Sequence, residues 1–260
     1  MTTEQPDQII VKNYDFICEI RINRPQRKNA LTLEMYEQIA ALMTRADSDS
    51  DVRVLLFTAE GDAFTAGNDL MDFMKSPPDG LDTPVFRFLK ALVSFSKPIV
   101  AAVNGAAIGI GTTMLLHCDL VYAAHSARFQ LPFIRLGLVP EAGASLLIPH
   151  TLGQRKAAEL LMLGEKFSAE QAQNYGIING SVDLEKLYET VQEKAKSLAN
   201  LPPTAMRQTK SLLKTVYGNQ LELAMETEGE VFIKRLSSPE TKEAIQAFFE
   251  KRTPDFSKFS

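Results

Sequence analysis

Only two cysteines, Cys18 and Cys118, occur in the 260-residue sequence, and they stand far apart. Two isolated thiols make neither a disulfide framework nor a metal-ligand pair, and they suit packing in a reducing compartment. Histidine is scarce as well. His117, His125 and His150 fall in no H-x-x-x-H or H-x-x-E spacing, so no metal is expected. The formal net charge is -4 and no Lys/Arg block is present, which argues against a nucleic-acid partner. No run reaches the ~20 apolar residues that span a bilayer, and "MTTEQPDQII" lacks the basic start and apolar stretch of a secretory signal. The closing "PDFSKFS" does not finish in Ser-Lys-Leu. The expected compartment is the cytoplasm, with no membrane partner.

What is present suits one large buried core with a smaller appendage: 45% of residues are hydrophobic and 23% charged. The segments 16–23, 52–59, 97–105, 118–124 and 127–131 read as strands, several apolar enough to be covered on both faces. Thr32 is a candidate N-cap for a helix with the stripe Leu33, Tyr36, Ile39, Ala40, Met43 and Ala46. Strand, glycine turn, helix and strand recur, the rhythm of an α/β core. Beyond residue 150, "QRKAAELLML" reads as helical, and Ser168 with Gln171 forms a capping box for a helix stopped at Gly176. After the Pro-Pro step in "NLPP" (200–203) the signals are helical to the end, with Ser238 and Pro239 opening one helix. Residues 1–200 are thus expected as the core and 201–260 as a helical C-terminal region. Its stripe of Leu221, Ala224, Met225, Val231, Phe232 and Leu236 calls for packing on the core or on a neighbouring subunit.

Two glycine turns follow strands. "DAFTAGNDL" (62–70) either presents backbone N–H groups into a cleft at Gly67 or is a tight turn capped by Asn68 and Asp69. "NGAAIGIGTT" (104–113) runs from a strand into a helix, so its N–H groups face the positive end of a helix dipole. Its spacing, G-x-x-x-G-x-G, is neither the dinucleotide fingerprint nor a phosphate loop. Ser145 lacks the G-x-S-x-G elbow of a serine hydrolase. Asn104 and Asp119 suit turn and capping bonds, His117 reads as a polar helix residue, and His125 as a surface residue. In "LGLVPEAGAS" (136–145), Glu141 stands alone among apolar neighbours, where it either opens the following helix or is a carboxylate kept for chemistry.

"RPQRKNAL" (24–31), "FTAGNDL" (64–70) and "KPIVAAVNGAAIGIGTTMLLHCDLVYA" (97–123) resemble, in this order, the early loop and the two oxyanion loops of the crotonase, or enoyl-CoA hydratase/isomerase, superfamily. The resemblance spans residues ~8 to 255. It implies an α/β spiral of repeated β-β-α units, a helical C-terminal region that mediates trimerisation, and a homotrimer or dimer of trimers. It also implies an acyl-CoA thioester substrate, CoA being part of the substrate and no separate cofactor being needed. The oxyanion donors carried over are the backbone N–H groups of Asn68 and Ile110, and Ala66, Gly67, Asn68, Asp69, Leu70, Gly109 and Ile110 would line the CoA and thioester site. Arg27 or Lys28 would approach the phosphates.

The family's hydratases use two glutamates, and the matching positions are Thr113 and Phe133, neither able to move a proton. "LPFIRLGLVPEAGAS" (131–145) and "AGNDL" instead resemble the monofunctional Δ3,Δ2-enoyl-CoA isomerases, whose single glutamate falls on Glu141. Desolvation is expected to raise its pKa. Phe64, Phe73, Phe86, Phe133 and Met71 are candidates for the acyl channel or for core packing. The alternatives are an enoyl-CoA hydratase or other crotonase-fold lyase, and a non-catalytic acyl-CoA-binding scaffold. The "SPPDG" stretch after the first turn is expected to be mobile.

Overall fold

A computed structural model of the chain describes residues 7–75 and 80–259. Of the stretch expected to be mobile, residues 76–79 lie outside the described residues. The chain opens with a hairpin of β1 (Ile9–Tyr14) and β2 (Ile17–Ile22). Its turn puts Asp15 and Phe16 at φ 48° and 62°, both left-handed, as a two-residue hairpin whose twist follows the strands requires.

β3 (Val54–Ala59), β5 (Ile99–Val103), β7 (Leu120–Ala124) and β10 (Gly180–Val182) then add in parallel, giving a six-stranded sheet in the order β1-β2-β3-β5-β7-β10. β3, β5 and β7 are each followed by a three-residue strand: β4 (Ala63–Thr65), β6 (Ala106–Ile108) and β8 (Arg128–Gln130). These three and β9 (Lys166–Ser168) form a second sheet, β4-β6-β8-β9. The chain therefore winds as a spiral in which each turn contributes one strand to each sheet. This is the expected α/β architecture of β-β-α units.

Period-two alternation, with both faces covered, explains why β3 and β5 are almost wholly apolar. Leu55, Phe57, Ile99, Ala101 and Val103 face the main core, while Val54, Leu56, Val100 and Ala102 face the other way. That second face is covered by Leu187, Val191 and Ala195 of the helix Leu184–Ala199.

The helices are α1 (Leu33–Ser48), α2 (Leu70–Lys75), α3 (Pro84–Ser94), α4 (Ile110–Thr113), α5 (Ala144–Leu152), α6 (Gln154–Ala158), α7 (Ala169–Asn174), α8 (Leu184–Ala199), α9 (Pro203–Lys214), α10 (Gln220–Leu236) and α11 (Pro239–Glu250). Three caps stand where the sequence put them. Thr32 Oγ1 accepts from the Met35 N–H, Ser168 and Gln171 form a reciprocal capping box, and Ser238 Oγ accepts from the Thr241 N–H. In α1, Met35 is buried and Leu33 only half-buried, because Leu33 is the first helical residue and Asp72 Oδ2 accepts its N–H. The helical run after Gly153 ends in a π turn over Glu159–Leu163. No helix among the described residues is long and apolar enough to cross a membrane. In the C-terminal region, α10 turns back against α5, which brings it over the end of the spiral where the glycine turns lie.

Candidate active site

The first glycine turn is braced from beneath by residues 24–31. Asn29 is fully buried and its side chain makes three bonds: Oδ1 accepts from the Arg24 N–H at 2.7 Å, and Nδ2 donates to the carbonyls of Glu60 and Ala63, both at 2.7 Å. Main-chain bonds continue the brace. The Ala66 N–H donates to Lys28 O, Leu31 N–H to Gly67 O, and Asp69 N–H to Leu31 O. Asp69 also pairs with Arg24 at 2.6 Å. In this short parallel bridge the residue between the two bonded positions, Asn68, turns its N–H the other way, and that N–H meets no acceptor among the described residues.

The second turn leaves β6. Gly109 donates to Gln130 O at 2.9 Å and takes φ 57°, ψ -119°, after which α4 begins at Ile110. The Ile110 N–H likewise finds no acceptor among the described residues, as befits a first helical residue. Pairing of β4 with β6 sets the two turns side by side. Two glycines permit that approach. A Cβ on Gly67 would lie 2.8 Å from Ile108 O, and one on Gly111 would lie 2.6 Å from Thr65 Cγ2. Leu70, Asn68, Asp69 and Ala66 are half-buried along the first turn, while Gly109 and Ile110 are buried. Arg27 and Lys28 are exposed.

Glu141 does not open the next helix. The N-cap of α5 is Gly143, and Glu141 precedes it in a turn where Ala142 and Gly143 are both left-handed, at φ 62° and 71°. Its side chain is buried, with 6% of the residue exposed, and Oε1 has no hydrogen-bond partner. Burial pushes its pKa up to about 8, with the nearby Glu228 carboxylate adding to the rise. The carboxyl faces a small apolar pocket. Phe73 of α2 and Val85, Phe86 and Leu89 of α3 form one side, with Met225, Gly229 and Phe232 of α10 opposite.

Of the acyl-channel candidates, Phe73 and Phe86 line this pocket. Phe64 and Phe133 are core residues, because β4 is covered on both faces and the short 3-10 turn Phe133–Leu136 points its first side chain inward. Met71 is on the surface. Helix α10 belongs to the 201–260 region, so the pocket draws on both segments of the chain rather than on 1–200 alone. Thr113 is buried with its hydroxyl donating to Gly109 O, at 3.4 Å.

Behind the turn, His117 is not a solvated helix residue. It is buried with Nε2 2.8 Å from Ala142 O, and desolvation drops its pKa to about 4, so a neutral imidazole donates from Nε2 to that carbonyl. Tyr36, fully buried in α1 and packed on Phe88, donates to Asn68 Oδ1. Burial, and secondarily the Glu141 charge, raises its pKa. His125 is exposed, as its sequence context suggested, and Ser145 is exposed too. Asp119 caps β5 by accepting from the Ile99 N–H and pairs with Lys210. No cluster of three or more His, Cys, Asp or Glu that could hold a metal occurs among the described residues.

Sequence reasoning passed over Glu228. Its Oε2 accepts from the Gly143 N–H at 2.6 Å and its Oε1 from the Ser145 N–H at 2.7 Å. The signal was available: with Leu221, Met225 and Phe232, position 228 falls on the apolar stripe of α10, in phase at i+7, i+3 and i-4.

The spiral of β-β-α turns is the crotonase-type fold. The chain belongs to the enoyl-CoA hydratase/isomerase family, whose model matches residues 12–258. It is 36% identical over 248 residues to the 1,2-epoxyphenylacetyl-CoA isomerase of Escherichia coli K12, covering 92% of this chain and 94% of that one. It is 36% identical over 252 residues to enoyl-CoA delta isomerase 2 of Rattus norvegicus, covering 94% of this chain and 64% of that longer protein. The crystal structure of an enoyl-CoA hydratase/isomerase from Pseudoalteromonas atlantica T6c superposes with a TM-score of 0.92 at 42% identity, covering 96% of this chain and all of that one.

Proposed function

We propose that the chain is an acyl-CoA enzyme that shifts the double bond of a 3-enoyl-CoA to the 2-trans position, a Δ3,Δ2-enoyl-CoA isomerase. The observation that carries this reading is the lone carboxyl of Glu141, unpartnered in an apolar pocket. As a carboxylate it takes a proton from C2 of the thioester, and the C–H electron pair spreads into a conjugated dienolate. The same carboxyl then returns the proton to C4, so nothing is consumed and one acid suffices. Charge on the dienolate oxygen would be met by the N–H groups of Asn68 and Ile110, each unbonded within the described chain. One such donor is worth roughly 3 to 4 kcal/mol in comparable enzymes.

Hydration would need a second acid or base, and the matching positions hold Thr113 and Phe133. The name of the Rattus norvegicus relative reported above favours the same reading. Ala66 to Leu70 and Gly109 would flank the CoA arm, with Arg27 or Lys28 near its phosphates. A homotrimer or dimer of trimers is part of the proposal, supported by the exposed Leu212 and Leu213 of α9 and Val216 just beyond it. Sedimentation of the purified protein tests that part.

The activity is tested by mixing purified protein with 3-enoyl-CoA substrates of several chain lengths. The ultraviolet absorbance of a conjugated 2-enoyl thioester should appear and persist. Its rapid decay would mean a hydratase. Binding of CoA esters without any absorbance change, at every chain length, would mean a non-catalytic scaffold.

A further inference from the structure

We propose that Glu228 is a positioning residue for Glu141: reaching in from α10, it fixes the turn that carries Glu141 and keeps the proton of this carboxyl pair on Glu141. The proposal rests on the reading of Glu141 as the proton carrier.

Glu228 is buried, at 6% exposure, and among the described residues no arginine, lysine or histidine pairs with it. What holds it is backbone. Each of its oxygens accepts one N–H, from Gly143 and from Ser145, at the start of α5. Burial raises the pKa of Glu228 too, but two amide donors on its two oxygens act the other way and favour the ionised form. Glu141 has no such donors, and its Oε1 is unpartnered. Where two neighbouring carboxyls in a water-poor site cannot both ionise, the proton goes to the one whose charge is less well held. That one is Glu141.

The same bonds fix geometry. Ala142 and Gly143 are both left-handed, a conformation that costs a non-glycine residue about 1 kcal/mol or more and persists only when neighbours enforce it. His117 holds the Ala142 carbonyl from one side, and Glu228 holds the Gly143 and Ser145 amides from the other. The groups that face Glu141 are few. α1 brings the Tyr36 phenol, the 3-10 turn Met114–His117 brings a neutral imidazole behind Ala142, and α2 and α3 bring only uncharged pocket residues. Glu228 is therefore the one formal charge set against Glu141 among the described residues that line its pocket and turn.

The test is an infrared titration of buried carboxyl groups in the unliganded full-length protein, in Glu141→Gln and in Glu228→Gln, joined to the pH profile of kcat/KM on a 3-enoyl-CoA. The unsubstituted protein should show one buried carboxyl titrating near pH 8, absent in E141Q. In E228Q its midpoint should fall by about one pH unit or more, the size a like charge sharing the site imposes. The kcat/KM profile should move with it, a shift that a merely structural role would not cause. An unchanged midpoint in E228Q overturns the proposal. So does a buried carboxyl in E141Q that still titrates between about pH 6 and 9, because the proton would then sit on Glu228; this second result decides the matter even if E228Q does not fold. The infrared readings need no turnover, so an inactive protein with the expected titration refutes the isomerase reading alone, and an active isomerase with an unmoved midpoint refutes the role of Glu228 alone.

Discussion

The Tyr36 hydroxyl donates a hydrogen bond to Asn68 Oδ1, 2.5 Å away, and so ties the first turn of α1 to the turn that presents the Asn68 N–H. Tyr36 is fully buried, so the phenol has no water to fall back on. Replacing Tyr36 by Phe removes one buried bond while keeping the ring against Phe88. The expected cost is about 1 kcal/mol of stability and, if the Asn68 amide drifts, a roughly fivefold to tenfold fall in kcat. Steady-state kinetics with thermal unfolding checks this, and an unaltered kcat would show that the Tyr36 bond does not position the Asn68 amide.

The pocket gives Glu141 a pKa of about 8 in the unliganded protein, and only the ionised form removes a proton. The kcat/KM for isomerisation should therefore climb as pH rises through about 8 and level off above it. A profile flat from pH 5 to 9, or one with its midpoint in the ordinary carboxylate range near 4.5, contradicts the assignment.

Stability carries the same signature with the opposite sign. Below about pH 4.5 Glu141 is neutral in folded and unfolded chains alike; between 4.5 and about 8 the unfolded chain releases its proton while the folded one keeps it. The unfolded state then binds fewer protons, so stability falls across this window, by an amount on the order of 5 kcal/mol when complete. Glu141→Gln lacks that loss. Its stability relative to the unsubstituted protein should improve steadily from pH 5 to 9, measured by denaturant titration at each pH, and a pH-independent difference would show that the carboxyl is not desolvated.

Much of the spiral could be read from residue patterns, because burial on both faces leaves a direct trace in composition: 54–57 and 99–103 are apolar without a break. Caps at Thr32, Ser168 and Ser238 were equally plain, since each needs only neighbouring residues. Contacts between distant segments left weaker traces. Helix α10 showed an apolar stripe, yet nothing in its periodicity says that Met225 and Phe232 close a pocket over Glu141. His117 read only as a polar helix residue because its partner, the Ala142 carbonyl, comes from a turn whose left-handed residue no local rule foretells. Glu228 left a trace in its phase with the apolar stripe of α10, but the amides it caps come from a distant segment and leave none on the helix itself.

Gly229 sets the depth of the pocket. A Cβ there would come within 2.5 Å of Phe86 Cε1 and 2.8 Å of Leu81 Cδ2. Gly229→Val should push Phe86 into the space an acyl tail would use. The expected result is a loss of about tenfold or more in kcat/KM for long-chain 3-enoyl thioesters and much less for short ones, in line with the cost of one or two methylenes in an apolar pocket. Equal losses at every chain length would mean that the tail runs elsewhere.

The most direct test of the central claim is the initial rate at which Glu141→Gln forms conjugated 2-enoyl thioester from saturating 3-enoyl-CoA, read beside its affinity for the CoA ester. A positioned acid-base group contributes about a hundredfold to ten-thousandfold, so turnover should drop at least about a hundredfold while binding is retained. A variant that binds the thioester and isomerises it at the unsubstituted rate would show that another group carries the proton.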